Sequence, residues 1–328
     1  MTPREQRPIS MPSTQSQQLA LFRALPEEGM APRDAQDLMA YPFFSLAKSR
    51  RLTPIRFEAG DVSLVVEGVP EHGIATIWDA DVLIWAASQI VEARDAGLQP
   101  SRLLAAAPHQ ILRFARRGTG STDYRMLRAA LDRLQSTTVA TSIRQAGRRQ
   151  HRFSWLSEWR EHVQPDGRSS GVELVLADWF FNSVMDEALV LTLDAGYFGL
   201  TGGIERWLYR LVRKHGGRQS NGWRFALRLL HRKSGSLQRY SDFALQLRHL
   251  VRRQSLPGYL LTLERHDGLE WLHFRHLSTV RVGKPGDNLC VGSGDRPHAA
   301  RGIDRTTLGE SDASSRAQPA ARVTSPRA

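Results

Sequence analysis

Between Asp79 and Gly97 apolar residues recur as Leu83, Ala86, Ala87, Ile90 and Val91, at i, i+3, i+4, i+7 and i+8, which is one face of an α-helix. Asp79 is placed to cap it, Asp81 lies in its first turn, and Gly97 with Pro100 stops it. A shorter helix is predicted over residues 109–116, ended by Gly118. Ser121 or Thr122 caps a third, in which Tyr124, Leu127, Leu131 and Leu134 bury one face. The period then falls to two. Residues 138–143 alternate and are β-branched, Ala146-Gly147-Arg148-Arg149 forms a basic turn, and residues 153–159 read as the returning strand. Short strands over residues 55–57 and 62–66 precede the first helix.

The same order recurs downstream. Ile204, Trp207, Leu208, Leu211 and Val212 form a helical stripe that stops at Gly216-Gly217. Residues 225–233 are predicted as a second helix, Ser234-Gly235-Ser236 as a turn, and residues 237–253 as a third helix. Pro257-Gly258 then breaks the chain before a hairpin of residues 259–264 and 270–274 around His266-Asp267-Gly268. Three helices followed by a hairpin is the pattern of a winged helix, whose third helix reads a DNA groove. The expected fold class is therefore α+β, with two tandem winged-helix domains: a mostly disordered arm over 1–40, the first domain over 41–168, an acidic interdomain segment over 169–195, the second domain over 196–282, and a disordered tail over 283–328.

Charge locates the expected function. Across 328 residues, 45 Lys+Arg oppose 33 Asp+Glu, a formal net charge of +12. Nucleic acid is the leading class of partner for such a chain, and a membrane surface the second. An arginine-rich genome alone spreads its excess evenly, whereas between Glu205 and Arg253 thirteen basic residues face two acidic ones, Glu205 and Asp242. The competing account is a set of solvated helix faces with snorkelling stems. On the last predicted helix Phe243, Leu247 and Leu250 point to the core, which leaves Arg239, Asp242, Gln246, His249 and Arg253 on another face, with Arg248 and Arg252 to the side. Arginine pairs bidentately with guanine and glutamine with adenine, so this stripe suits base reading. Arg248 and Arg252 suit phosphates, and Arg232 and Lys233 are further DNA-binding candidates. The corresponding first-domain positions are Arg125, Arg128 and Arg133, with Arg148 and Arg149 on the wing. Asp132 weakens that face, so the first domain is expected to bind DNA less strongly or to serve in self-association as a homodimer.

Catalytic and metal-binding signatures find no support. Gly167-Arg168-Ser169-Ser170-Gly171 matches G-x-S-x-G, but Pro165-Asp166 precedes it and a strand-like run follows, so the nucleophile elbow has no frame. No Walker-type phosphate loop occurs. His273 and His276 are three apart on a predicted strand, which turns them to opposite faces. The acids from Glu173 to Glu205 raise a nuclease centre, but Asp178 and Asp194 stand where helix caps belong. His249-x-x-Arg252 with Tyr259 or Tyr240 resembles a tyrosine-type strand-transfer site, with a spacing too short for it. The single cysteine, Cys290, allows no internal disulfide and no Cys-rich metal site. Neither a signal peptide nor a run of about 20 apolar residues is evident, so a cytoplasmic protein without membrane attachment, cofactor, metal or catalytic residue is expected.

Several ordered strings carry a resemblance. Gly196-Tyr197-Phe198, the run from Gly202 through Glu205-Arg206-Trp207-Leu208-Tyr209 to Gly217, Leu229 to Ser236, Phe243-Ala244-Leu245 and Leu256-Pro257-Gly258-Tyr259 resemble the plasmid replication initiator protein A family. Met39-Ala40-Tyr41-Pro42-Phe43-Phe44-Ser45-Leu46 resembles the family's opening, and Ser121-Thr122-Asp123-Tyr124 its first reader helix. The likeness runs from about Asp37 to Arg281. It implies a protein that binds double-stranded DNA at repeated sites of a plasmid origin, helps open the duplex, recruits host replication proteins such as the replicative helicase and its loader, and often represses its own gene. A transcriptional repressor without initiator activity is the alternative that uses the same residues.

Overall fold

Residues 19–145, 150–165, 169–217 and 219–279 are described by a computed structural model of mixed α+β architecture. Its N-terminal segment forms strands β1 (Leu21–Arg23) and β2 (Arg33–Ala35) and the short helix α1 (Gln36–Ala40), where composition predicts a disordered arm. Phe22, Leu38 and Met39 are buried. The order comes from remote partners: the Arg33 amide donates to the Ser88 hydroxyl at 2.8 Å and the Leu25 amide to the Gln89 side-chain carbonyl at 2.7 Å. Local composition cannot register bonds across such separations. Residues 1–18 of the expected arm and the expected tail over 283–328 lie outside the described residues.

The hairpin of β3 (Ile55–Ala59) and β4 (Val62–Glu67) leads to α2 (Ala80–Asp95). All residues from Ala80 to Val91 are buried, so α2 is a core helix enclosed on every side, not an amphipathic surface helix. Asp79 precedes it, but its carboxylate accepts from the Thr76 amide at 2.7 Å and leaves the helix amides alone. Then come β5 (Leu103–Ala106), α3 (Pro108–Phe114), α4 (Ser121–Ser136), β6 (Thr138–Thr141), β7 (His151–Ser154), β8 (Leu156–Val163) and β9 (Ser169–Leu176).

The alternating residues after α4 do form a hairpin, with Thr138 opposite Ser154 and Thr141 opposite His151. This is the hairpin expected as the wing, but it does not stand as one, because β6 and β7 extend β3–β4 into a four-stranded antiparallel sheet, order β3–β4–β6–β7. The strands that close the first unit are β8 and β9, in the sheet β1–β5–β9–β8, where β1 runs parallel to β5. Residues 169–176, expected to open the acidic interdomain segment, are thus the last strand of the first unit. Glu158, Arg160, Glu161 and His162 give β8 a polar texture that masks it, while Val172, Leu174 and Leu176 of β9 alternate inward. The Ser170 hydroxyl of the G-x-S-x-G string donates to the His162 carbonyl at 3.0 Å within this hairpin.

The acids that follow are spent locally. Asp178 opens α5 (Asp178–Met185) and pairs with Arg102 at 2.9 Å, Glu173 pairs with His162 at 3.1 Å, and Asp186 and Asp194 accept amides of Ala188 and Gly196. α5 packs on α2, and β10 (Val190–Thr192) pairs with β2, so the segment belongs to the first body and does not act as a spacer.

The second unit comprises α6 (Gly203–Gly216), β11 (Trp223–Ala226), α7 (Leu227–Ser234), α8 (Tyr240–Arg253), β12 (Tyr259–His266) and β13 (Leu269–His276), with sheet order β11–β13–β12. The predicted helix over 225–233 begins later, because Trp223 to Ala226 pair with Phe274 to Trp271 as a strand. With the inserted β6–β7 hairpin set aside, the series α2–β5–α3–α4–β8–β9 and α6–β11–α7–α8–β12–β13 follow the same order, with the first strand beside the third in both sheets.

Helix α6 joins the two units. Two of the arginines counted toward the basic stretch are buried in it. Arg206 donates to Asp81 at 2.8 Å and to the Leu200 carbonyl at 2.7 Å, and Asp81 also accepts from Arg117. Arg210 clasps Asp34 through two bonds of 2.7 and 3.0 Å. These charges hold the fold together and are lost to any anion-binding face, which corrects the count made from the sequence. Nearby, burial pushes the Tyr209 hydroxyl up to about 12 while it accepts the Asp194 amide. Gly203 is fixed by close approach, since a Cβ there would stand 2.0 Å from the Leu46 carbonyl oxygen.

Candidate nucleic-acid interface

Phe243, Ala244, Leu247 and Leu250 seat α8 against its unit. The opposite face carries Arg239, Asp242, Gln246, His249, Arg252 and Arg253, all exposed. Arg239 stands at the N-cap in an extended conformation, so its side chain leaves the helix at the end where a groove is entered. The preceding turn is stiffened from inside: the Ser234 hydroxyl donates to the His231 carbonyl and accepts the Ser236 amide. Gly235 adopts φ +60°, and a Cβ there would press on Pro42 and Ile55 at 2.9 and 3.0 Å.

Each third helix is tied to the hairpin of its own unit by a two-bond Arg–Glu pair. Arg248 reaches Glu270 of β13 at 2.5 and 3.2 Å, and Arg128 of α4 reaches Glu161 of β8 at 2.7 and 2.8 Å. Arg128 and Arg248 are therefore first of all braces, with their charge partly neutralised. Both carboxyls are held below the ordinary range by those arginines. A depressed carboxylate contributes stability that is present above its unfolded pKa and lost as pH falls through its folded one. Acidification from about pH 6 to about pH 3 is thus expected to lower amide protection, taken relative to the intrinsic exchange rate at each pH, in β8–β9 and β12–β13 ahead of the core. Glu270→Gln should abolish that acid sensitivity in β13. Protection factors of both hairpins that stay constant with pH in the wild type would refute the bracing.

The remaining sequence candidates divide. Arg125, Arg232 and Arg252 are exposed and without an ion-pair partner among the described residues. Arg253 reaches Glu205 at 3.2 Å while staying largely in solvent. Lys233 turns inward, its ammonium 5.5 Å from the Tyr41 ring and 5.7 Å from that of Phe57. Arg133 is clamped by two 2.7 Å bonds to the buried Asp79, so it is a structural residue and the expectation of a free cation there is corrected. Arg148 and Arg149 lie outside the described residues. Tyr259 is buried beside Tyr209 and the His276 ring, and Tyr240 opens α8, well over two helical turns before His249 and Arg252, so neither tyrosine joins that pair in a strand-transfer constellation. Sequence reasoning passed over Lys48 and Arg50, exposed on the loop before β3; their signal is the short basic run Lys48-Ser49-Arg50-Arg51.

Among the described residues no group of three His, Cys, Asp or Glu side chains is placed to hold a metal ion, and no helix is long and apolar enough to cross a membrane.

Similarity to known proteins agrees with this architecture. A putative replication protein of Wigglesworthia glossinidia brevipalpis is 27% identical over 227 residues, covering 67% of this chain and 81% of that one. Two crystal structures of RctB domains 2 and 3 superpose with TM-scores of 0.56 and 0.51 at 16% identity. Each covers 74% of this chain, and the matches span 98% and 96% of the RctB chains. At that identity the likeness is one of fold. The family model described as replication initiator protein A matches residues 33–261, from the strand that carries Asp34, through the first helix–hairpin unit and the helices of the second, to the start of β12; over that span, well beyond half its length, the chain belongs to the replication initiator protein A family.

Proposed function

We propose that the protein is a plasmid replication initiator that binds origin repeats in duplex DNA through two tandem winged helices, with α8 and α4 in successive major grooves and β12–β13 and β8–β9 as the wings. The observation that carries this is the face of α8: four apolar residues anchor it, and Arg239, Gln246, His249 and Arg252 stand outward together. Arg239 and Gln246 have the donor and acceptor geometry for guanine and adenine edges, and Arg232 and Arg252 supply phosphate contacts. Successive grooves on one side of B-DNA are roughly 34 to 36 Å apart, the repeat that two linked reading units would match. Contacts made on distorted DNA offset a deformation cost of a few kcal/mol and favour opening of the adjacent duplex. The chain then works by binding, without a catalytic step. Host replication proteins such as the replicative helicase and its loader are the partners to be recruited, and the first unit is the place for a homodimer contact.

Two measurements test this. A plasmid with no other origin, carrying this gene and its flanking repeats, is expected to be maintained; loss from every host tried, with the repeats still bound, would make the protein a repressor. Affinity for the repeats is expected to fall by about 0.9 log units per phosphate contact for each tenfold rise in salt. A salt-insensitive complex would overturn the electrostatic basis of the proposal.

A further inference from the structure

Two open clefts adjoin one another and share Lys48, Arg50 and Trp78. One, of about 750 Å³, extends to Met126 and Ala129 of α4 and to Arg116. The other, of about 500 Å³, extends to the Ser236–Gln238 turn and to Gln246 on the outward face of α8. The loop before β3 therefore lies between the third helices of the two units and touches the surroundings of both.

Its cations are available. Lys48 and Arg50 are exposed, and among the described residues neither has a carboxylate partner. The Lys48 ammonium stands 5.4 Å over the Trp78 ring, and Arg50 donates to the Glu71 carbonyl at 3.1 Å. Of the carboxylates of the larger cleft, Asp79 is held by Arg133 and Asp123 by the Gly120 amide, while that of Glu71 stands out in solvent 3.9 Å from His72. The loop is also rigid. Next to Arg50, the buried Arg51 donates to the Thr53 carbonyl and, at 2.6 Å, to the Gly235 carbonyl in the turn before α8. Ser45 is bonded on both sides of its peptide to the strand-like segment of Ala75 and Ile77, and the Leu46 carbonyl lies against Gly203. Two cations on a stiff support between two groove-reading helices would face the phosphodiester strands that separate successive major grooves.

We propose that Lys48 and Arg50 form a phosphate-binding site for duplex DNA where its backbone crosses from the groove read by α4 to the groove read by α8. The site rests on the DNA-binding function proposed above and adds to it a contact that belongs to neither reader helix. Such a contact carries no base information and acts equally on every sequence. It strengthens binding only when both units are engaged on one duplex.

The test uses the full chain and a duplex of about 30 base pairs that the chain itself selects from a random pool, long enough for two grooves and their flanks. Lys48→Ala/Arg50→Ala is compared with Lys48→Arg/Arg50→Lys, after equal melting temperatures show that all three proteins are folded. Two lost contacts should lower the log–log salt slope by about 1.8 and weaken binding on the order of 30-fold at 0.15 M salt, on selected and random duplexes alike. The charge-conserving variant should keep the wild-type slope. Neutral methylphosphonates placed between the two protected grooves should weaken the wild type and leave the alanine variant unchanged. An alanine variant with wild-type slope, or one still sensitive to the methylphosphonates, overturns the site while leaving the DNA-binding function standing. Failure of the wild-type chain to enrich or bind any duplex removes that function itself.

Discussion

Asp34→Ala is expected to cost about 3 to 5 kcal/mol of stability, the loss that follows when one partner of a buried ion pair is removed. Asp34 and Arg210 are each 1% exposed and share two hydrogen bonds. Asp34 sits in β2, far from Arg210 in sequence, and the pair joins the N-terminal segment to α6. Burial pushes the Asp34 carboxyl upward, and the guanidinium beside it, helped by the Ala35 amide, counters that push. Without the carboxylate, a charged and buried Arg210 is left under the Phe44 ring, its centre 5.5 Å away, without its ion-pair partner. Against a typical total of about 5 to 15 kcal/mol this is a large fraction, and melting should fall by roughly 6 to 20 °C. Asp34→Leu combined with Arg210→Met should recover most of the loss, since a matched apolar pair often replaces a buried ion pair without penalty. A urea midpoint for Asp34→Ala close to wild type would show that the clasp contributes little.

Gln246→Ala and Arg239→Ala are each expected to weaken binding to the selected duplex by about 1 to 3 kcal/mol, between roughly fivefold and 150-fold, and to relax discrimination at one base position. Neither change should disturb the fold. Gln246 is exposed, and Arg239 occupies the N-cap without a side-chain capping bond, so alanine removes no helix contact in either place. Arg252→Ala is the comparison: as a phosphate contact it should lower affinity for cognate and random DNA alike and reduce the salt slope by about one. Competition binding with selected and random duplexes distinguishes these outcomes. Equal losses on both duplexes for all three variants would remove α8 from the groove.

The second unit was largely legible. The 3.6-residue stripe through Trp207 and Leu211, the Gly235 turn and the Asp267-Gly268 hairpin are local signals, and the elements stand close to where those signals put them. The first unit was less so, because its pairings are remote. Its closing hairpin hides behind the polar surface of β8, whereas the more β-branched hairpin after α4 joins another sheet. Arg206 and Arg210 illustrate the same limit on one helix. Both flank the apolar stripe of α6 at positions that look solvated, and only Asp81 and Asp34, brought in from the first unit, make their burial affordable. Within the candidate site, outward residues of α8 follow from periodicity, but the inward turn of Lys233 and the engagement of Arg133, Arg128 and Arg248 depend on partners that no spacing rule names.

Arg51 is bonded to the Gly235 carbonyl and Gly203 lies flush against Leu46, so the turn before α8 and the start of α6 rest directly on the segment before β3 and not on a bare tether. If α4 and α8 read successive grooves as proposed, helices spaced by such contacts would leave a mismatch with relaxed B-form geometry to the softer body, as twist or curvature in the double helix.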